Sequence, residues 1–465
     1  MLTQSDVADP DPLSGRKEKT LSDRKRRKRA SRKEIAGWAM FDFANQAYTL
    51  LIITVIYPVL FTTVIAGSPD DGYRMGNLLW SVSLAISYFL VILAAPLLGA
   101  IMDIRAEKKR YLFFSYLLTV ISTSAFWFIE PGSVLLGMVL LIISNFGYSL
   151  GETIIASFLP GLGPAVDYGK ISGFGWSVGY IGGLVSAGFV VLFLGEPVLE
   201  NFERIRWVGP FAAGFFLMAA IPTFLWLKEP VVASSGRTGA SFRDSMSRLR
   251  HTIRELSRFR DLSVFLLSVF FEMAGIYIII TYAFIYGDQV IGWDEEVRAS
   301  MFLVVQITAA AGALLFGFIQ DRAGALRINI LILILWFVAV MAIVAVVPLT
   351  EALSSLLGRE LQEQYVFLVT GLLAGSCLGS SQSASRTLVG LFTPDEKAAE
   401  FFGFWGVFYK LAGIFGIMGL GLLQSALGLN RAIAFCALLF LMAAFICLFV
   451  NQKRGEAAAE QYGEV

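Results

Sequence analysis

The sequence predicts an all-α polytopic membrane protein, with twelve transmembrane helices arranged as two pseudo-symmetric six-helix bundles. Three observations carry that expectation. Of the 465 residues, 56% are hydrophobic and only 16% charged, and mean hydropathy is +0.69. Soluble domains average about 25% charged residues. The apolar residues are also blocked into runs of twenty or more, which is the length a helix needs to cross hydrocarbon. Finally, two short segments repeat: Gly99-Ala-Ile-Met-Asp103-Ile-Arg105 and, 218 positions on, Gly317-Phe-Ile-Gln-Asp321-Arg322-Ala-Gly324. Each lies between two apolar runs. A small residue, an acid four positions later and then basic residues suit a tight turn at the aqueous face. Half-chain spacing makes them copies of one unit.

Residues 1–36 are polar, with eleven Lys or Arg between Arg16 and Lys33. Nothing there can form a core, so a disordered basic cytoplasmic tail is expected. The apolar run that follows is too long for a cleaved signal peptide and stays as the first span. A nucleic-acid patch is one reading of the basic run. Beside a membrane helix, contact with anionic lipid is the plainer one, and no nucleic-acid partner is expected.

Twelve spans are expected near 40–65, 77–102, 111–129, 134–158, 173–194, 207–227, 262–286, 299–319, 326–347, 365–388, 402–423 and 430–450. Loop charge sets their orientation. Connections 103–110 and 228–260 are rich in Lys and Arg, whereas the alternate loops carry Asp70, Asp71, Glu196, Glu200, Glu203, Asp288, Asp294, Glu295 and Glu296. Both termini are therefore expected in the cytoplasm, with the chain in the plasma or inner membrane. The units are an N-terminal bundle (37–227), a linker (228–260), a C-terminal bundle (261–452) and a short tail (453–465). In the linker, Phe242, Met246, Leu249, Ile253 and Leu256 recur at steps of three and four among arginines. This is an amphipathic basic helix lying on the inner leaflet or binding a partner.

A second repeat supports duplication. Glu152 stands eight residues before Pro160, and Arg386 eight residues before Pro394. Glycines from Gly173 to Gly188 are answered by glycines from Gly403 to Gly421, where partner helices can approach closely.

Charge inside hydrocarbon costs about 3 kcal/mol or more per residue and persists where it faces a cavity or a partner. Glu152, Glu272, Arg386 and Lys410 are the intramembrane candidates; Asp42, with Asn45 a turn on, sits at the inner end of span one. A buried carboxylate favours its neutral form until a cation approaches. Glu272, meeting Lys410 or an arginine in one state only, would therefore bind and release a proton; a fixed structural ion pair is the alternative. Glu152 and Arg386 occupy equivalent repeat positions with opposite signs and could pair as an inner gate. Arg386 could instead hold a substrate carboxylate, or both could snorkel to the surface. Asp42 either lines a cavity or caps its helix. Asp103 and Asp321, in the gating loops with Gly99, Gly317, Arg322 and Gly324, are expected to hold inner helix ends to basic groups.

Other chemistry is poorly supported. Cys377, Cys436 and Cys447 lie in apolar runs without metal-ligand spacing, and His251 is the single histidine. No phosphate-cradling Gly-Lys-Ser/Thr loop appears. No enzyme activity, metal or cofactor is expected. Duplicated bundles with buried charge instead suit an alternating-access transporter, expected to be a monomer.

Gly317-x-x-x-Asp321-Arg322-x-Gly324 resembles the cytoplasmic loop motif of the major facilitator superfamily; the first copy differs at Ile104 and Ala106. Trp38-Ala39-Met40-Phe41-Asp42-Phe43-Ala44-Asn45, Gln382-x-x-Ser385-Arg386, and Glu400-Phe401-Phe402-Gly403 followed by Lys410 resemble the autophagy-related vacuolar effluxer family and its bacterial relatives. The resemblance implies a secondary transporter, with amino-acid efflux as its theme. A proton-coupled carrier of an amino-acid-like solute or other organic anion is thus expected; a non-transporting receptor or a lipid exporter is the alternative.

Overall fold

The computed structural model describes residues 27–67, 73–195, 197–230 and 258–464. Among them, twelve helices are long and apolar enough to cross a membrane. Spans one to six are Arg32–Ile65, Arg74–Arg105, Lys108–Phe128, Val134–Gly161, Ala165–Leu194 and Leu199–Trp226. Spans seven to twelve are Arg260–Ile291, Glu295–Ala323, Ala325–Val344, Glu363–Phe392, Asp395–Gln424 and Leu429–Cys447. The expected amphipathic linker helix lies outside the described residues, as do Asp70, Asp71, Glu196 and His251.

Packing repeats with the sequence. Span one packs on five and six, as seven packs on eleven and twelve; span four packs on two and three, as ten packs on eight and nine. The halves meet along two equivalent seams, five against eight and two against eleven. Glycine makes both possible. A methyl group on Gly173 would lie 3.0 Å from Gly317 Cα, and one on Gly403 would lie 2.8 Å from the Ala95 carbonyl oxygen. Large side chains such as Phe89, Phe114, Leu135, Leu225, Leu315 and Phe445 stay exposed on the outer surface, as a lipid-facing belt requires.

Both described chain ends lie on one face of the bundle, called here the terminal face. Most of the expected disordered tail, residues 1–26, lies outside the described residues. Residues 27–31 pack across this face, and the Ser31 hydroxyl accepts from Glu34 N–H to cap a helix that begins at Arg32. The far tail also folds back, as the helix Gln452–Glu460, where Arg454 grips Asp261 through two 2.7 Å hydrogen bonds. The Gln452 amide oxygen accepts from Leu326 N–H at the start of span nine. At the matching place in the first half, Glu229 accepts from Lys108 and Lys109 N–H at 2.6 and 2.8 Å. Burial pushes the Glu229 carboxyl above its ordinary value, against the pull of those two donors.

Candidate functional site

Each half reaches across the terminal face with one carboxylate. Asp103, at the end of span two, accepts from Ala399 and Glu400 N–H at 3.1 and 2.9 Å, capping span eleven. Asp321, at the end of span eight, accepts from Gly169 and Lys170 N–H at 2.8 and 3.0 Å, capping span five. An anion at a helix N-terminus satisfies orphan donors and meets the positive end of the dipole. Lys108 stands 3.3 Å from Asp103, and Lys170 stands 3.9 Å from Asp321. The basic neighbours expected from the sequence are therefore present, but the larger contact is with backbone of the opposite half. Gly99 and Gly317 sit where those backbones cross. A methyl on Gly317 would come within 2.8 Å of the Gly169 carbonyl oxygen. Gly324 takes a φ of 98°, the turn its position predicts, whereas Ala106 holds the first copy's turn at φ 52°. Arg322 is exposed.

Deeper in the bundle, a narrow cavity is lined by Asp42, Asn45, Glu152, Trp176, Arg386, Trp405, Tyr409 and Lys410 among others. Two ion pairs border it, and each joins one half to the other. Arg386 of span ten lies 2.8 Å from Asp42 of span one. Lys410 of span eleven lies 3.4 Å from Glu152 of span four. The anticipated Glu152–Arg386 gate therefore does not form. Arg386 instead meets Asp42, which lines the cavity and is buried. The physical reason is the local cradle: Arg386 also donates to the Ser172 hydroxyl and carbonyl oxygens at 3.1 and 2.9 Å. Its guanidinium also lies over the rings of Trp38 and Trp176, with centroids at 4.4 and 5.2 Å. Nor does Arg386 snorkel, being 2% exposed, whereas Glu152 is half-buried at the cavity.

Glycine again makes the space. A methyl on Gly175 would lie 2.7 Å from Asp42 Oδ2 and 2.9 Å from Arg386 Nη2. Glu152 is held by a 2.6 Å hydrogen bond from the Tyr148 hydroxyl, one turn before it, and Thr49 meets that hydroxyl at 2.7 Å. The sequence reading missed Ser172 and Tyr148 as partners. Only Tyr148 carried a signal, its four-residue spacing from Glu152 on one helix face.

Glu272 has no cation here, because Lys410 and Arg386 are taken by other acids. It is fully buried, with the Ser381 hydroxyl as its polar neighbour. Tyr409 lies within electrostatic reach of both Glu272 and Glu152, between the second half's interior and the cavity. On the cavity wall the Trp176 indole N–H and the Asn45 amide oxygen are buried and unpartnered among the described residues. Among the described residues, no group of three His, Cys, Asp or Glu is placed to hold a metal.

The family model described as "Vacuole effluxer Atg22 like" matches residues 79–168 and 165–460. An uncharacterized MFS-type transporter of Bacillus subtilis, YxiO, is 25% identical over 93% of this chain and 98% of its own. Autophagy-related protein 22-1 of Aspergillus niger is 23% identical over 62% of this chain and 48% of its own, so the match spans about half of that relative. Among solved structures, the proton:xylose symporter XylE superposes with a TM-score of 0.70 at 14% identity, over 93% of this chain and 98% of that one. The human organic anion transporter MFSD10 gives 0.68 at 15% identity, over 90% and 99%. Both structural likenesses bear on the fold alone. These relatives are transporters, not enzymes, and the matched segments contain both clasps and both ion-pair cations. The chain belongs to the vacuole effluxer Atg22-like family of major facilitator transporters.

Proposed function

We propose that this chain is a secondary active transporter that exports a small amino-acid-like zwitterion by alternating access, coupled to proton movement. One observation carries the reading: two ion pairs, one buried and one partly buried, border the cavity, and each has its acid in one half and its base in the other. Halves that tilt must part these pairs. A buried charge that loses its partner is costly, by about 3–5 kcal/mol when one member is simply removed. A zwitterion in the cavity supplies replacements, its carboxylate for Arg386 or Lys410 and its ammonium for Asp42 or Glu152. The four charges sum to zero, which favours a zwitterion over a net anion. The unpartnered Trp176 donor and Asn45 acceptor offer it further hydrogen bonds.

The basic connections support a cytoplasmic terminal face, and the cell membrane is the proposed location. The clasped terminal face then corresponds to a state closed toward the cytoplasm. Glu272 supplies the coupling group: it binds a proton while both cations are engaged elsewhere, and releases it when rocking frees one. Export is the direction in keeping with the family description. No second copy of the chain is needed to complete the cavity, so a monomer suffices. Anionic lipid is the proposed partner of the basic tail.

Purified protein in proteoliposomes, given an imposed pH gradient and radiolabelled amino acids, sugars and lysolipids in parallel, tests the reading. Gradient-dependent accumulation of an amino acid, lost in Arg386→Gln, is expected. Accumulation of sugars or lysolipids alone would overturn the substrate assignment, and transport indifferent to the pH gradient would overturn the coupling.

A further inference from the structure

The N-terminal approach to span one does more than enter the membrane. Residues 27–31 run over the connection between spans four and five. Ala30 N–H donates to the Leu162 carbonyl at 3.0 Å, and Arg29 pairs with Asp167 at 2.6 Å. These contacts stay within the first half. Arg27 differs, because its fork is divided. One nitrogen donates to the Pro160 carbonyl oxygen at 2.6 Å, and the other reaches Asp395 of the second half at 2.6 Å.

Pro160 and Pro394 close the two copies of the second repeat, so this fork sits where the repeats face each other. A planar guanidinium is suited to such a task, since its two ends hold different partners in fixed geometry. The side chains of Arg27 and Asp395 are only 32% and 17% exposed, so the contact is partly withdrawn from solvent screening.

We propose that Arg27 is a latch for the terminal face: a strap anchored on the first half that fastens the second half through Asp395 and must release before that face opens. The inference rests on the alternating-access reading and adds a third fastening to the two carboxylate clasps. It differs from them in kind. The clasps belong to the duplicated helices and come in a pair, whereas this contact comes from outside the twelve spans. The arrangement makes the basic tail a determinant of which face is open, in addition to any contact it makes with lipid.

The test uses spin labels at Arg110 and Ala323, one in each half on the terminal face, in full-length protein reconstituted in nanodiscs. The three native cysteines are buried and compete little for label. Double electron–electron resonance then reads the closed and open populations without any substrate. Arg27→Glu and Asp395→Arg should each raise the open population about five-fold, the low end of typical coupling between sites. The double swap Arg27→Glu/Asp395→Arg should bring it back toward wild type. Unchanged distances in both single variants would overturn the latch, and so would a shift that the double swap does not reverse. Asp103→Asn and Asp321→Asn serve as controls for the underlying reading. If these also leave a single fixed distance, alternating access itself is wrong; if they shift it while Arg27→Glu does not, only the latch is.

Discussion

Replacing Gly99 with alanine should open the terminal face, and the size of the effect follows from what the methyl group meets. It would lie 2.7 Å from the Ala399 carbonyl carbon and from Glu400 Cα, both backbone atoms of span eleven. Backbone cannot step aside as a flexible side chain can. Overpacking of this kind costs about 1–3 kcal/mol. The same displacement stretches the Asp103 hydrogen bonds to Ala399 and Glu400, and weakening one bond to a charged group adds about 1 kcal/mol. Alanine's better helix propensity acts in both states and cancels from the equilibrium. The closed state should therefore lose about 2–4 kcal/mol relative to the open one, about 30- to 1,000-fold in population. The labelled pair used for the latch reads this directly. Gly188→Ala is the control, because a methyl there meets nothing within 4 Å. If Gly99→Ala gives the same distances as Gly188→Ala, the seam of spans two and eleven does not govern closure.

Gly175→Ala should act on the ion pair instead. Its methyl crowds Asp42 and Arg386, so substrate-dependent thermal stabilisation should fall by an amount close to that seen for Asp42→Asn. Glu272→Gln should abolish accumulation driven by a pH gradient while leaving exchange of labelled for unlabelled substrate; loss of both would assign Glu272 to binding or packing. For Glu229, burial raises the folded value above the ordinary 4.5, so the folded state holds the proton more tightly than the unfolded chain. The resulting stabilisation is present below that ordinary value and fades as pH rises through the raised one. The melting temperature of wild type minus that of Glu229→Gln should accordingly fall across the same interval in a detergent melting series.

The fold was legible because its signals are long or repeated. Twenty-residue apolar runs survive errors of several residues at their ends. Gly99 with Asp103 and Gly317 with Asp321 announce a duplication without any knowledge of packing. What those carboxylates touch was not legible. The donors at Ala399, Glu400, Gly169 and Lys170 are backbone groups that any residue carries, so no side-chain pattern marks them. The pairing of buried charges failed for a related reason. Equivalent positions for Glu152 and Arg386 suggested a symmetric partnership, but Arg386 is steered to Asp42 by Trp38, Trp176 and the Ser172 carbonyl. Residues 27–36 were misjudged by composition. Residues 27–31 have only Ala30 as apolar content, yet contacts to Pro160, Leu162, Asp167 and Asp395 fix them, and composition does not report such contacts.

The symmetry of the closing contacts and the asymmetry of the charges separate two tasks. Duplication supplies closure: each half lends a carboxylate to a helix start of the other, with glycine at the crossing in both copies. Under the same exchange, span one goes to seven, ten to four and eleven to five, so the Asp42–Arg386 contact maps onto spans seven and four. Those spans carry Glu272 and Glu152, two acids that do not pair. The surroundings of the cavity therefore hold three carboxylic groups but two cations. One acid must be left over in every arrangement, and in this one it is Glu272. A group that is surplus in a low-dielectric interior has to find either a proton or a cation. Moving Lys410 or Arg386 to it would leave Glu152 or Asp42 in the same need. In the proposed mechanism the surplus passes from one carboxyl to another as the halves rock. Glu152→Gln offers the decisive case, since it leaves two acids for two cations. In that variant the requirement for a proton should disappear while exchange of substrate continues; retention of full pH-gradient dependence would show that the count of charges does not set the coupling.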